Sequence, residues 1–353
     1  MFKIEVECGM TRPVDDGFYM PAEWVPHRRC WMAWPWRSDR LGDEVAAVRD
    51  EFIELARAIA EFEPVSVVAV PDELAEASLR LGAGVGCLPM NQDGSRLRDF
   101  GPTFLVDRRG GLAGADWGFN AWGGKYPDYA KDAEVAHQIL EHVGAGRYEA
   151  PLVLEGGSVQ ADGEGTLLTS EQCLLNPSRN PDLTKPQIED LLGAYLGVRQ
   201  IIWLGQGLLG DEGDGHVGIL ACFIAPGRVL ALTSNDPEDD NYSALQDNLE
   251  RLSRAKDAQG RPLEILTVEQ PKASFGDDGV RLPLSYVDFY LANGGLVMPS
   301  FEDSNDQGAF DLVSRIFPDR TVRQVLTIDL LRAGGIHALT QPEPDPNPDP
   351  GGD

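Results

Sequence analysis

A hairpin recurs four times along this chain, and that repetition restricts the fold more than any other feature. Phe104-Leu105-Val106 runs into a turn at Arg109-Gly110-Gly111 and out through Leu112-Ala113-Gly114. Ser158-Val159-Gln160 leads to Asp162-Gly163-Glu164-Gly165 and on to Thr166 through Ser170. Ile219 to Ala225 leads to Pro226-Gly227 and then to Val229 through Leu232. Tyr286 to Leu291 leads to Asn293-Gly294-Gly295 and then to Leu296-Val297-Met298. Each is an apolar run, a glycine turn and a second apolar run, which is the signal of a β-hairpin. The turns are about 50 to 70 residues apart, a period typical of repeated architectures. Between them, Val45 to Ala60, Ala130 to Val143, Lys185 to Leu196, Tyr242 to Ala255 and Asp306 to Phe317 carry apolar residues at helical spacing. Thr184 before Lys185-Pro186 adds a cap and a proline at a helix start. The repeating unit is hairpin, helix, strand.

A fifth unit is divided between the two ends. Trp31-Met32-Ala33-Trp34 and Ile336-His337-Ala338-Leu339 both read as short apolar strands. Pairing them closes a ring and leaves no sheet edge exposed. The expectation is therefore one α/β domain of five pseudo-repeats over residues 16–342, preceded by an extension at 1–15. From Gln341 onward prolines alternate with acids, and the chain ends in Gly-Gly-Asp. Such a segment cannot bury apolar surface, so residues 343–353 are expected to form a disordered acidic tail.

With 353 residues, 42% of them hydrophobic, the chain can bury a large core. Its 57 acidic and 30 basic side chains give a formal charge of −27. That charge repels nucleic acid and anionic membranes, and it favours cationic small molecules or basic partners, or serves solubility alone. No apolar run reaches the ~18 residues of a membrane span. Met1 to Met20 is mixed and acidic early, unlike a signal peptide. Cys8, Cys30, Cys87, Cys173 and Cys222 are scattered and lack CxxC spacing, so neither a disulfide framework nor a metal cluster is expected. A reducing cytoplasm fits that usage.

Four segments carry candidate chemistry: Arg98-Asp99-Phe100-Gly101-Pro102, Leu154-Glu155-Gly156-Gly157, Asp214-Gly215-His216-Val217-Gly218 and Gly334-Gly335-Ile336-His337-Ala338. Taken singly, Asp99 suits a turn or ion pair, Glu155 a loop carboxylate, and His216 a structural histidine. Taken together, each stands where its repeat enters a hairpin. Equivalent positions of a closed ring converge on the axis, which puts Asp99, Glu155, His216 and position 338 in one cavity. Two carboxylates and a histidine equip a site for acid–base chemistry near neutral pH.

Those segments also resemble a known family. Met20-Pro21-Ala22-Glu23-Trp24, Trp31 through Pro35, Phe119-Asn120-Ala121-Trp122-Gly123-Gly124, Leu154 through Gly157, Gly215-His216-Val217, Ala221 through Gly227 and Ala333 through Gln341 are similar to agmatine deiminases and bacterial peptidylarginine deiminases. The resemblance covers roughly residues 16–342. It implies a five-bladed α/β propeller, the pentein fold, and hydrolysis of a guanidinium to a ureido group and ammonia with no metal or cofactor. It implies a small-molecule substrate, and exposed blade faces allow a homodimer. Carried over by residue, Asp99 matches a guanidinium-binding aspartate, Glu155 the family glutamate and His216 the family histidine, while Trp122 and Asp214 fall in substrate-binding segments. A second aspartate is expected where Gly218 stands, and the nucleophilic cysteine where Ala338 stands. An acid and a tryptophan are expected at Gly94 and Arg96. Near a cation site Arg96 would repel a guanidinium and attract a carboxylate; pointed outward it would do neither.

An alanine has no atom that can attack carbon. Three readings follow. One is an enzyme that uses Asp99, Glu155 and His216 on a guanidino, amine or amide compound without a cysteine nucleophile. A second is a non-catalytic relative that binds a small molecule or a protein, and a third is an inactivated deiminase. Cys173, placed in a Glu-Gln-Cys-Leu-Leu strand, and Cys222 read as core thiols. Incubated with agmatine or arginine-terminated peptides, the protein is expected to release little ammonia and ureido product; appreciable turnover would remove the significance given to Ala338.

Overall fold

The computed structural model describes residues 11–37, 41, 44–276 and 279–347. Cys8, most of the 1–15 extension and residues 348–353 of the expected tail lie outside them. The strands run β1 (His27–Ala33), β2 (Val65–Ala69), β3 (Val85–Pro89), β4 (Thr103–Val106), β5 (Leu112–Gly118), β6 (Gly146–Val153), β7 (Gln160–Ala161) and β8 (Thr166–Ser170). They continue with β9 (Gln200–Leu204), β10 (Ala221–Ala225), β11 (Arg228–Thr233), β12 (Glu264–Glu269), β13 (Tyr290–Ala292), β14 (Gly295–Ser300), β15 (Thr321–Leu326) and β16 (Gln341–Pro344). Among the described residues they form five sheets, ordered β16-β1-β2-β3, β4-β5-β6, β7-β8-β9, β10-β11-β12 and β13-β14-β15.

Every sheet has the same construction. Its first two strands pair antiparallel, and the second pairs parallel with the third. A parallel neighbour needs a long crossover, and a helix usually supplies it. The helices Val45–Ala60, Val135–Val143, Lys185–Leu196, Tyr242–Arg254 and Asp306–Ile316 lie at those crossovers. The first and third coincide with the spans expected from periodicity. Thr184 and Gln187 close the capping box on Lys185–Leu196. A further helix, Leu74–Leu81, joins β2 to β3 and makes the first sheet four-stranded. The expected helix from Ala130 begins later, as a 3-10 turn at Asp132–Glu134 that runs into Val135–Val143.

Two expectations near the C-terminus are corrected. Ile336 to Leu339 is no strand; Gly335–Leu339 is a short helix. The strand that meets β1 is β16, with Trp31 opposite Gln341 and Cys30 opposite Pro342. Gln341 to Pro344 therefore belongs to a sheet and not to a tail. Glu343 is buried, accepts the Trp31 indole N–H at 2.8 Å and faces Arg29 at 3.2 Å. Composition misled because an edge strand tolerates proline wherever its N–H would point away from the ladder, and because a paired acid can be buried. Cys173 also changes element: Glu171–Leu174 is a helical turn, not a strand.

The five repeats present their leading ends to one another. A helical turn precedes the first strand in four of them: Leu97–Phe100 before β4, Gly156–Ser158 before β7, Val217–Ile219 before β10 and Gly335–Leu339 before β16. A turn at Tyr286-Val287 precedes β13. Deleting residues 341–353 is expected to lower the thermal midpoint by several degrees or abolish folding, since it strips β1 of its partner, whereas deleting 348–353 leaves the midpoint unchanged. A melt followed by circular dichroism distinguishes the two.

Candidate functional site

All five leading segments reach one cavity of about 260 Å³. Asp99 enters it from the β4 sheet, Gly157 from the β7 sheet, His216 and Gly218 from the β10 sheet, Asp288 from the β13 sheet, and His337 with Ala338 from the β16 sheet. Of the residues expected to converge, Asp99, His216 and Ala338 line the cavity directly. Glu155 is fully buried behind them.

His216 sits between the two carboxylates. Its Nδ1 is 3.8 Å from Asp99 Oδ1 and its Nε2 is 3.5 Å from Glu155 Oε2. At these lengths the contacts are ionic, and buried Nε2 makes no hydrogen bond. Burial opposes a charged imidazole, but Asp99 and Glu155 outweigh it, so the His216 pKa rises well above its ordinary value. The ring therefore carries its proton at neutral pH. The loop that presents it is held by Asp211, whose carboxylate accepts the N–H groups of Gly213, Gly215 and His216 at 2.7 to 2.9 Å. Gly157 is required beside it, because a Cβ there would lie 2.7 Å from His216 Nδ1 and 2.9 Å from Asp99 Oδ1.

Asp99 is oriented from both sides. Trp122 Nε1 donates to Oδ2 at 2.9 Å and the Gly157 N–H donates to Oδ1 at 3.0 Å. Trp122 and its neighbour Ala121 both have left-handed backbones, φ +55° and +56°. Such strain in non-glycine residues persists where surrounding structure enforces it and clusters at functional sites. The indole does not line the main cavity; it reaches it through Asp99.

Glu155 is clamped. Arg179 Nε donates to Oε1 at 3.0 Å, and Cys173 Sγ lies 3.3 Å from Oε2. Burial pushes the Glu155 carboxyl up, but His216 and Arg179 pull it below its ordinary value, so it stays charged. Burial beside that carboxylate pushes the Cys173 thiol up to about 12, which makes it a hydrogen-bond donor and no nucleophile. Asp214, expected to touch substrate, instead pairs with Arg179 Nη1 at 2.6 Å and Lys125 Nζ at 2.8 Å, outside the cavity lining. Glu155, Cys173 and His216 bring one carboxylate, one sulfur and one imidazole atom within 4.8 Å of one another, a set able to hold a metal ion. The Arg179 guanidinium, itself fully buried against Glu155, already supplies the positive charge that a metal would bring.

Asp288 has no counterpart among the residues picked from sequence. It is buried, lines the cavity, and accepts the Ile336 N–H at 2.9 Å and the His337 N–H at 2.7 Å. Burial raises its carboxyl to about 6 against the pull of those N–H groups and of His337. The signal was present in the fourth hairpin, where Asp288 stands at the position in its repeat that Asp99 and His216 occupy in theirs. His337 lines the cavity, its Nε2 2.9 Å from Glu23 Oε1 and 3.0 Å from Gln160 Nε2. A Cβ on Gly218 would be 2.6 Å from His337 Nδ1, so the side chain that the resemblance leads one to expect at 218 has no room. Arg96 is buried at the cavity wall and does not point to solvent. Gly94 adjoins a small side pocket lined by Trp36, Asp93, Arg96 and Trp122. None of the four cysteines among the described residues lines the main cavity.

Residues 19–344 match the family model for Porphyromonas-type peptidyl-arginine deiminase. The chain belongs to this family. It is 47% identical over 340 residues to a putative agmatine deiminase of Legionella pneumophila, covering 95% of this chain and 97% of the relative. It is 43% identical over 360 residues to an agmatine deiminase of Stutzerimonas stutzeri, covering 95% and 98%. The solved structure of an agmatine deiminase of Enterococcus faecalis superimposes with a TM-score of 0.92 at 36% identity, covering 96% of this chain and 99% of that one. The family member's clamp on Glu155 generates a test. Arg179→Gln removes the nearest cation from a buried carboxylate and is expected to cost about 3–5 kcal/mol, read as a lower denaturant midpoint, whereas Cys173→Ala removes one weak donor and costs about 1 kcal/mol.

Proposed function

We propose that this family member acts on the carbon–nitrogen bond of a small guanidino, amine or amide compound by acid–base chemistry, without a cysteine nucleophile. One observation carries the reading. Asp99, His216 and Asp288 converge on a cavity that Ala338, the residue at which the resemblance leads one to expect the nucleophilic cysteine, also lines, and no cysteine among the described residues lines it. Relatives named agmatine deiminase support the guanidino class of substrate. The repetition of one sheet design five times around this cavity supports the finer architecture, a five-bladed propeller with the site on its axis.

The roles follow from charge. Asp99, already oriented by Trp122 and Gly157, offers carboxylate oxygens to guanidinium N–H groups, a charge-assisted contact worth about 1.5–3 kcal/mol. Water adds to the electrophilic carbon and its proton passes to Asp288. His216, held as the imidazolium by Asp99 and Glu155, donates a proton to the departing nitrogen, which leaves as ammonia or an amine as the C–N bond breaks, and the hydroxyl left on carbon returns its proton to His216 to give the carbonyl. Groups whose environments push their pKa values apart suit such a division between base and acid. The non-catalytic reading is favoured by Gly218 alone, since the pocket there is closed to an aspartate.

Activity against a panel of guanidino, ureido and amide compounds, measured as ammonia release, is expected to rise as pH climbs through about 6, where Asp288 loses its proton. It falls again only above the ordinary imidazole range, where His216 loses its own. Asp288→Asn is expected to erase the acidic limb and reduce kcat by roughly 10²–10⁴. His216→Ala abolishes turnover but leaves ligand binding. Binding without turnover by the unaltered protein would favour the non-catalytic reading, and an unchanged pH profile in Asp288→Asn would remove Asp288 from the chemistry.

A further inference from the structure

We propose that Arg96 sets the charge of the ligand by occupying, with the protein's own guanidinium, a cation subsite at the cavity wall. The proposal rests on the guanidine-binding reading above and narrows it: the ligand carries one cationic head and no second positive group.

The subsite is built from three elements that each attract a cation. The Trp122 ring presents its face, with the Arg96 guanidinium carbon 4.9 Å from its centroid. Glu212 supplies a carboxylate, 2.5 Å from Arg96 Nη2 and held also by the Tyr126 hydroxyl at 3.3 Å. The Ala333 carbonyl accepts from Nε at 3.3 Å. An aromatic face with a nearby carboxylate is the arrangement that recognises ammonium and guanidinium ligands. The fit around Arg96 is close. A Cβ on Gly334 would fall 2.7 Å from Arg96 Nε, and the φ of +111° there favours glycine as well.

Position gives the arrangement its consequence. The same indole that stacks on Arg96 donates its N–H to Asp99. Trp122 therefore separates the carboxylate that would hold a guanidinium head from the corner that Arg96 fills. Asp99 and Arg96 line the same cavity, so a short alkyl chain ending in a second cation, leaving Asp99 along that wall, arrives at a guanidinium already in place. Removing Arg96 would vacate a prepared site, with Trp122, Tyr126 and Glu212 left facing it.

Agmatine and butylguanidine differ only by the terminal amine and make the test direct. Calorimetric titration of the unaltered protein is expected to show butylguanidine binding about tenfold more tightly than agmatine. In Arg96→Gln, which keeps a shorter polar side chain and drops the charge, agmatine gains about tenfold or more while butylguanidine changes less than about threefold. Arg96→Lys retains the exclusion, and adding Glu212→Gln to Arg96→Gln removes the gain. Far-ultraviolet melts of each variant identify any that fails to fold, and Arg96→Ala then replaces Arg96→Gln. Butylguanidine binding with an agmatine affinity indifferent to Arg96 would overturn this proposal and leave the site reading intact. Absence of binding by either guanidine to every folded variant would overturn both.

Discussion

The buried ion pair between Arg179 and Glu155 is the contact on which the site depends. Both side chains are fully excluded from solvent. Two charges withdrawn from water are stable only when their remaining donors and acceptors are also satisfied. Here they are: Arg179 extends to Asp214 and the Gly213 carbonyl, and Glu155 extends to Cys173 and His216. The pair thereby ties the loop before β10, which presents His216, to the segment before β7, which presents Gly157 and with it Asp99. Geometry at the cavity follows from charge compensation beneath it.

That compensation sorts the cavity's titratable groups. Glu155 is surrounded by cations and stays ionised, and its charge with that of Asp99 keeps His216 protonated. Asp288 meets only backbone N–H groups and neighbours that offset part of its burial, so it titrates near neutrality. The cavity therefore holds one imidazole favoured in its charged form and one carboxyl raised by burial, and no cysteine among the described residues lines it. Ala338 adds only a methyl to the lining, and the space at Gly218 is closed by His337, whose Nδ1 would lie 2.6 Å from a Cβ there.

Much of the fold could be read from periodicity. Helices Val45–Ala60 and Lys185–Leu196 have uninterrupted apolar stripes and, in the second, a cap and proline, so their limits were legible to the residue. The reading failed where local pattern was short or tertiary pairing decided. Ile336 to Leu339 is three apolar residues and a histidine, equally suited to strand or helical turn, and the Asp288 carboxylate decides for the helix by receiving its Ile336 and His337 N–H groups. Gln341 to Pro344 looked unable to fold because acids and prolines bury little apolar surface; β1 and the Trp31 indole supply the partners that no local pattern shows.

The sequence by itself determined the five-fold repetition, the family and the convergence of Asp99, His216 and position 338, because a repeat carries its leading residue to the same place each time. Only the tertiary structure decided what surrounds them. It placed Asp288 in the cavity, withdrew Asp214 and the Trp122 ring from its lining, seated Glu155 on Arg179, and filled the corner of Trp122 and Glu212 with Arg96. Those outcomes depend on contacts between residues separated by tens to hundreds of positions, where burial and charge pairing are settled by packing and leave no periodic trace along the chain.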